Sequence, residues 1–246
     1  MDKPVLVYGA YGHTGRFVVA ELLRQGLTPI LSGRNPAGLG EIAGQFPGLE
    51  VRPATVDDSH SLDNAVRGAG VVVNCAGPFL DTAVPVAAAA VRAEAHYLDV
   101  TAEQAAVQEV YRAHEKLGWS TDLAVIPAMA FYGGLADLLA TAAAAGWETL
   151  DEITVAVGLD RWWPTEGTRN TGRRNSATRL VVSAAGRDIY AVTAPLVVEA
   201  TRRLIDGRAK VQGAAAPGEV FDAADFLDAL SPHHLTIRRE GPRSRS

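Results

Sequence analysis

The chain has 246 residues, enough for one or two domains and for a core that needs no disulfide bond or metal ion to be stable. Its 48% hydrophobic and 21% charged residues are typical of a soluble globular protein and argue against disorder. The formal charge of −5 argues against nucleic-acid binding, and a single cysteine cannot form an internal disulfide. No apolar run reaches the roughly 18 residues that a membrane span needs. We therefore expect a soluble cytoplasmic protein.

The first forty residues predict a strand, a glycine turn, a helix and a second strand. Val5–Tyr8 is β-prone, apolar residues recur at helical spacing over 17–23, and Thr28–Leu31 predicts the second strand. Two strands joined through a helix in this way lie parallel, as a βαβ unit.

The turn between strand and helix carries three glycines at the spacing G-x-x-G-x-x-G. A phosphate can approach the backbone closely only where no Cβ intervenes, and the free N–H groups at a helix start favour an anion. A structural turn that needs positive φ is the competing interpretation. In its strand-to-helix context, we predict that the turn cradles cofactor phosphates through Gly9, Tyr11, Gly12, His13, Thr14 and Gly15.

The residues after the second strand favour NADP(H) over NAD(H). NAD sites often place an acidic residue there to accept from the ribose 2′-OH, and no acid lies between Thr28 and Gly40. Ser32, Arg34 and Asn35 stand there instead, and a guanidinium can pair bidentately with the 2′-phosphate of NADP. An exposed arginine that only solvates a turn is the alternative.

Two further strands place candidate cofactor contacts at their carboxyl ends. Residues 51–56 predict the third strand, and we expect Asp57 near the adenine, whereas Asp58 and Ser59 are better suited to cap the next helix. The apolar run 71–76 is flanked by glycines and predicts a strand buried on both faces. Ligands of doubly wound sheets bind outside the carboxyl ends of the strands. The contacts expected there are Ala76, Gly77, Pro78 and Phe79.

The rest of the chain alternates helices and strands to about residue 150. Helices are predicted at 83–95, 101–116 and 133–145, with strands at 96–100 and 123–127. The period of two over 152–158 indicates a half-exposed strand and a change to a second layer. Later strands are expected at 180–183 and 188–193, and later helices at 194–205 and 223–230.

Several familiar catalytic patterns are absent from the sequence. It has no G-x-S-x-G, H-E-x-x-H or G-x-x-x-x-G-K-[ST] motif, and its six histidines form no metal-ligand pattern, so no metal site is predicted. No lysine follows a tyrosine at the Y-x-x-x-K spacing used by short-chain dehydrogenases. A hydride reaction stays attractive, because the cofactor carries the chemistry and the protein supplies orientation and a proton donor.

Five stretches of the sequence resemble the saccharopine dehydrogenase/reductase NADP-binding family. They are residues 9–16, 32–34, 73–79, 96–103 and 216–221. The resemblance implies a Rossmann-type doubly wound parallel sheet, a smaller α+β substrate domain and the use of NADP(H) on imines or related unsaturated groups. Some members resemble trans-acting enoyl reductases.

On this analogy, residues 77–79 flank the nicotinamide and Asp99 lies beside the substrate. We therefore expect an NADP-binding domain over 1–128 and a substrate or dimerisation domain over 129–246, whose last elements can return to the first domain.

Candidate catalytic residues follow the later strands. Asp99 and Thr101 lie at the carboxyl end of a predicted parallel strand, which favours a ligand role, with capping of the next helix as the alternative. Tyr132 precedes a helix start and could donate a proton as C=N or C=C is reduced, with packing as the alternative.

The segment 161–175 joins two adjacent tryptophans to four arginines. Such a segment can form a lid or an aromatic wall over a ligand, an interface between two copies, or a solvated loop. The substrate contacts predicted from it are Trp162, Trp163 and Arg169.

The main hypothesis is an NADPH-dependent reductase that transfers a hydride to a C=N, C=C or C=O carbon of a small, for example biosynthetic, molecule. A homodimer is a further expectation. The second hypothesis is a redox sensor of NmrA-like type that binds NADP(H) without turnover, since the sequence has no unambiguous catalytic acid. The third is a structural subunit whose glycine turn binds no nucleotide.

Overall fold

The computed structural model describes residues 4–119, 122–145, 189–231 and 233–235. Within these residues the strands are β1 (Val5–Tyr8), β2 (Pro29–Gly33), β3 (Val51–Pro53), β4 (Val71–Asn74), β5 (His96–Asp99), β6 (Ala124–Ile126) and β7 (Gly213–Ala214). The helices are α1 (His13–Arg24), α2 (Pro36–Gln45), α3 (Ser59–Val66), α4 (Phe79–Arg92), α5 (Gln104–Leu117), α6 (Gly134–Ala144), α7 (Ile189–Ile205), α8 (Pro217–Val220) and α9 (Ala223–Leu230).

The strands form one parallel sheet in the order β3-β2-β1-β4-β5-β6-β7. The chain starts in the middle at β1, winds outward through β2 and β3, and then returns to the other side of β1. This order confirms the predicted Rossmann-type, doubly wound α/β fold. Strand β7 brings the later part of the chain back to the same sheet. The domain boundary at residue 128 stays a prediction, because residues 146–188 lie outside the described part of the chain.

Both faces of the sheet are buried, which explains why its central strands are apolar along their whole length. Side chains alternate between the two faces of a strand. In β1, Val5 and Val7 join the core shared with α1, α6, α7 and α9, whereas Leu6 and Tyr8 join the core shared with α3, α4 and α5.

Helix α7 occupies a segment for which the sequence suggested a strand. The expected strand at 188–193 is wrong, since α7 begins at Ile189. Ile189, Thr193, Leu196 and Ala200 are buried at helical spacing, and the helix packs along α1. β-Branched residues favour strands only weakly, so this apolar face decided the outcome.

A buried arginine fastens α7 to α9. The Arg203 side chain is 3% exposed, and its guanidinium nitrogens lie 2.7 Å from carboxylate oxygens of both Glu199 and Asp225. The same guanidinium lies 4.8 Å from the ring centre of Phe226. Because a buried charge is stable only when it is paired, these contacts hold α9 against α7.

The other predicted elements agree with the structure apart from small shifts at their ends. Asp58 caps α3 as expected, since its carboxylate accepts the His60 N–H at 3.0 Å. The predicted strands at 152–158 and 180–183 lie outside the described residues. None of the helices that the structure describes is long and apolar enough to span a membrane. The same residues hold no group of three His, Cys or acidic side chains suited to a metal ion.

Candidate functional site

The carboxyl ends of the central strands meet in one row. Tyr8 of β1 pairs with Ser32 on one side and with Asn74 on the other, and Asn74 pairs with Asp99 of β5. The winding direction reverses between β1 and β4. In open α/β sheets this reversal leaves a crevice at the carboxyl edge, where ligands bind.

The glycine turn after β1 packs so closely that side chains are excluded. Gly9 has φ of +80°, and a Cβ there would lie 2.8 Å from the backbone nitrogen of Ala76. A Cβ on Gly15 would press on the Gly9 carbonyl oxygen and lie 2.9 Å from the Cα of Ala10. The turn therefore brings β1, the start of α1 and the loop after β4 into direct backbone contact.

Helix α1 begins at the crevice with its first N–H groups open to an anion. Its N-cap, Gly12, offers no side-chain acceptor, and the first turn contains no acidic residue. Strand β2 fixes the turn, since the N–H groups of Gly9 and Ala10 both donate to the Ser32 carbonyl. Arg16 Nε adds a hydrogen bond to the Tyr11 carbonyl at 2.9 Å. The geometry is that of a rigid anion-binding helix start.

The Tyr11 ring lies over the turn that follows β2. A Cβ on Gly33 would lie 2.7 Å from Tyr11 Cε1, and one on Gly38 would lie 3.0 Å from Tyr11 Cγ. These two glycines make room for the ring. Tyr11 thereby joins the glycine turn to the segment that carries Arg34.

The three polar residues predicted after β2 have different surroundings. The buried Ser32 hydroxyl donates to the Arg52 carbonyl at 2.7 Å, which argues against its predicted phosphate contact. The Asn35 side-chain oxygen caps α2 by accepting from the N–H groups of Ala37 and Gly38. Arg34 is exposed and has no hydrogen bond or ion pair to the described residues. Of the three, its guanidinium is the group left open to a ligand.

Asp57 lies on the same side of the crevice and is exposed. Its carboxylate accepts the Thr55 hydroxyl at 3.3 Å. Burial raises the pKa of the Tyr8 phenol, Tyr11 and Asp57 add to the rise, and Arg34 opposes it. The pKa of Tyr8 therefore depends on both charged groups, which is consistent with Asp57 and Arg34 flanking one end of the crevice.

Across the crevice, buried hydrogen bonds connect the ends of β4 and β5. The Asn74 amide donates to the Thr82 hydroxyl at 3.3 Å and to the Tyr97 phenol oxygen at 3.2 Å. Tyr97 in turn donates to an Asp99 carboxylate oxygen at 3.0 Å. The Asn74 side-chain oxygen accepts the Ala76 N–H at 3.0 Å, which sets the path of the loop after β4.

Asp99 ties together the loops that follow β5 and β6. One carboxylate oxygen accepts the N–H groups of Thr101 and Ala128, each at 2.9 Å. Burial raises the pKa of Asp99 to about 6, although these N–H groups and the Tyr97 hydroxyl oppose the rise. With both oxygens engaged and the side chain fully buried, Asp99 faces the protein and not a substrate.

The hydrogen bonds continue from Asp99 to the start of α4. The Thr101 hydroxyl accepts the Glu103 N–H at 2.9 Å. The buried Glu103 carboxylate accepts the N–H groups of Phe79 and Leu80, each at 3.1 Å. Residues 97, 99, 101 and 103 thus belong to one connected set of hydrogen bonds. The sequence analysis missed Glu103, Asn74, Thr82 and the polar role of Tyr97. Their spacing of two, which places alternate side chains on one side of an extended chain, was a usable signal.

Tyr132 lies at the same edge, in the turn between β6 and α6. It is half-buried, and burial together with nearby Tyr190 raises the pKa of its phenol. Tyr190, in the first turn of α7, packs edge-on against His13 with ring centres 4.3 Å apart. Helix α7 thus reaches the glycine turn, and Tyr190 is a site residue that the sequence analysis missed. The predicted contacts Trp162, Trp163 and Arg169 lie outside the described residues.

Comparison with known families accounts for this arrangement. The model of the saccharopine dehydrogenase NADP binding domain matches residues 5–122. Over these residues the chain is similar to that family. Its cofactor is NADP(H), as predicted. The residues fit a dinucleotide, because α1 starts without a side-chain cap or an acidic residue in its first turn, and Arg34 supplies an open cation.

Two curated relatives match part of this chain. A lipid droplet localized protein of Caenorhabditis elegans is 32% identical over 146 residues, covering 54% of this chain and 34% of that protein. A probable mitochondrial saccharopine dehydrogenase-like oxidoreductase of Arabidopsis thaliana is 32% identical over 122 residues, covering 42% and 27%. The chain spans about a third or less of the length of these relatives.

Among solved structures, apo saccharopine dehydrogenase (L-Glu forming) of Saccharomyces cerevisiae is similar to this chain with a TM-score of 0.46 and 19% identity. The match covers 57% of this chain and 30% of that one.

Proposed function

We propose that the chain is an NADPH-dependent reductase that adds a hydride to a C=N, C=C or C=O carbon of a small molecule. The observation that carries the proposal is the uncapped start of α1 at the crevice, within an NADP-binding domain. NADPH, when bound, supplies the hydride. The residues of the chain bind and orient it, and one of them supplies a proton.

The cofactor contacts divide into two groups. The first-turn N–H groups of α1 hold the pyrophosphate, where the positive end of the helix dipole favours negative charge. Arg34 pairs with the 2′-phosphate, and Tyr11 supplies an aromatic surface beside it. Asp57 lies near the adenine end. Ser32 and Asn35 support this region through their bonds to the backbone.

Residues 77–79 would hold the nicotinamide. This loop is held from both sides, by Asn74 at the Ala76 N–H and by Glu103 at the start of α4. A loop whose backbone is fixed in this way keeps the reacting carbon at a constant position, which favours hydride transfer. Glu103 is a positioning residue in this scheme.

Tyr132 donates the proton. Its raised pKa keeps the phenol protonated at neutral pH, and its half-buried position lets water restore the proton after transfer. Asp99 has no free oxygen for a substrate, so we assign it, together with Thr101, a positioning role.

Nucleotide titration tests the binding part of the proposal. The wild-type protein should bind NADPH more tightly than NADH. Arg34→Ala should weaken NADPH binding by about tenfold or more, as expected for loss of a charge-assisted bond, and leave NADH binding unchanged. Arg67→Ala, which removes another exposed arginine, is the matched control. Equal loss for both nucleotides, or no loss, would contradict the role of Arg34.

A turnover assay tests the catalytic part. NADPH oxidation should depend on an added imine, enone or ketone. The alternative is a regulator that binds NADP(H) without turnover, and the fully engaged Asp99 carboxylate favours it. Tight NADPH binding without turnover across the three substrate classes would support that alternative. The third hypothesis, a subunit that binds no nucleotide, conflicts with the NADP-binding family. The homodimer and the cytoplasmic location stay predictions.

A further inference from the structure

A second cavity lies at the opposite end of α1 from the glycine turn. Its volume is about 470 Å³, and it opens among the ends of α1, α7 and α9. The polar residues that line it are Arg24, Gln25, Glu199, Arg202, His233 and His234. Twelve helical residues separate the two ends of α1, which is about 18 Å at 1.5 Å per residue. The cavity is therefore separate from the cofactor crevice.

The side chains around this cavity favour negative charge. Two arginines line it, against one acid, Glu199, and two histidines add ring N–H groups that can donate. The Glu199 carboxylate is already engaged, since Arg203 Nε lies 2.7 Å from it and Arg208 lies 3.9 Å from it. The nearby Glu21 pairs with Arg24 and Gln25. Burial would raise the pKa of Glu21, but these hydrogen bonds outweigh it and lower the pKa.

Both arginines have N–H groups that form no hydrogen bond to the described residues. Arg202 Nη2 donates to the Gln25 carbonyl, while Arg202 Nε is buried and has no partner among the described residues. Arg24 uses Nε and Nη2 for Glu21, and no hydrogen bond from its Nη1 is found in the described chain. A guanidinium has five N–H groups, and a buried donor without an acceptor is unfavourable. Arg24 Nη1 belongs to a largely exposed side chain, so an oxygen ligand in the cavity can accept from it.

We propose that this cavity binds a small polyanion, either a phosphate ester or a compound with two or three carboxylates. Guanidinium groups pair with both kinds of oxyanion in the same forked geometry. The cavity volume lies within the range typical of small-molecule sites, about 300–1,000 Å³. The ligand bridges α1, α7 and α9, so its binding stabilises the folded protein.

The test measures thermal unfolding with saturating NADPH present, so that the glycine turn is already occupied. Inorganic phosphate and citrate are titrated in parallel, each against sodium chloride at equal ionic strength. We expect a saturable rise in Tm with one or both anions and none with chloride. A response to phosphate alone assigns the phosphate ester, and a response to citrate alone assigns the carboxylate compound.

Two variants connect the effect to the cavity. Arg202→Gln and Arg24→Gln should each weaken the anion response by about tenfold, as expected for loss of a charge-assisted bond. Arg24 is largely exposed, so its variant should fold even if Arg202→Gln does not. Arg112→Gln is the matched control, because Arg112 is an exposed arginine paired with an acid three residues earlier, as Arg24 is.

Equal responses in Arg24→Gln and Arg112→Gln, or no response to either anion in the wild type, would overturn the proposal. Failure of NADPH turnover would leave this measurement unaffected, since the cavity makes no contact with the crevice.

Discussion

The carboxylate of Glu103 accepts the backbone N–H of Phe79 at 3.1 Å, across a separation of 24 residues in the sequence. Its second oxygen accepts the neighbouring N–H of Leu80 at the same distance. One side chain after β5 thus caps the start of α4. Negative charge at that position is also favoured by the helix dipole. The loop proposed to hold the nicotinamide therefore depends on a residue outside it.

Glu103→Gln should lower the free energy of unfolding by about 1–3 kcal/mol, because one backbone N–H would face an amide N–H and lose its acceptor. Chemical denaturation measures the change. Glu109→Gln, at an exposed position of α5 paired only to Arg112 in the described structure, should change stability by less than about 0.5 kcal/mol. Similar losses of unfolding free energy in the two variants would show that the Glu103 hydrogen bonds stabilise the protein no more than an exposed ion pair does.

Asp99→Asn should change how stability depends on pH. The folded-state pKa of Asp99 is raised from 3.8 to about 6, so the folded protein binds its proton more tightly than the unfolded chain does. The stability from this group is fully present below about pH 3.8 and is lost as pH rises through about 6.

Wild-type protein should therefore lose on the order of 2–3 kcal/mol from this group between pH 4 and 7. Denaturation curves across this range give the free energy of unfolding of wild type and of Asp99→Asn. The stability of the variant relative to wild type should increase as pH rises. A difference that stays constant with pH would contradict the raised pKa.

Gly15→Ala and Gly40→Ala should have opposite effects on stability. A Cβ at position 15 meets backbone atoms of the glycine turn, so we expect a loss of about 1–3 kcal/mol and weaker NADPH binding. A Cβ at position 40, inside α2, meets nothing within 4 Å and should stabilise the helix by up to about 1 kcal/mol. Thermal unfolding and NADPH titration check both. A tolerated Gly15→Ala would show that the turn is less tightly packed than described.

Tyr132→Phe should reduce kcat by about 10²–10⁴-fold, the range for loss of a general acid, with the Kd for NADPH unchanged. Tyr190→Phe keeps the ring that packs against His13, and it should retain activity because the proposed proton donor is Tyr132. If Tyr190→Phe loses activity and Tyr132→Phe does not, the donor role belongs to Tyr190. Stopped-flow measurement of NADPH oxidation separates the chemical step from binding.

The predicted elements succeeded where local pattern and tertiary environment agreed. Val71–Asn74 is an apolar run, and it forms a central strand buried on both faces. The expectation at 188–193 failed because Ile189 and Thr193 are buried at helical spacing, and the Thr193 hydroxyl accepts the Phe131 N–H. Their β-branched side chains carry only a weak preference for strands. Ser32 was predicted from its position after a strand, and its side chain instead points to the carbonyl of Arg52 on the next strand.

The sequence by itself determined the βαβ start, the glycine turn and NADP(H) as the cofactor, because each depends on residues close together in the chain. Only the tertiary structure decided that Asp99 and Glu103 brace the loops and that Tyr190 reaches His13. It also brought Arg24 and Arg202 to one cavity. These contacts join residues far apart in the sequence. Their partners are set by strand order and helix packing, which no local pattern of residues specifies.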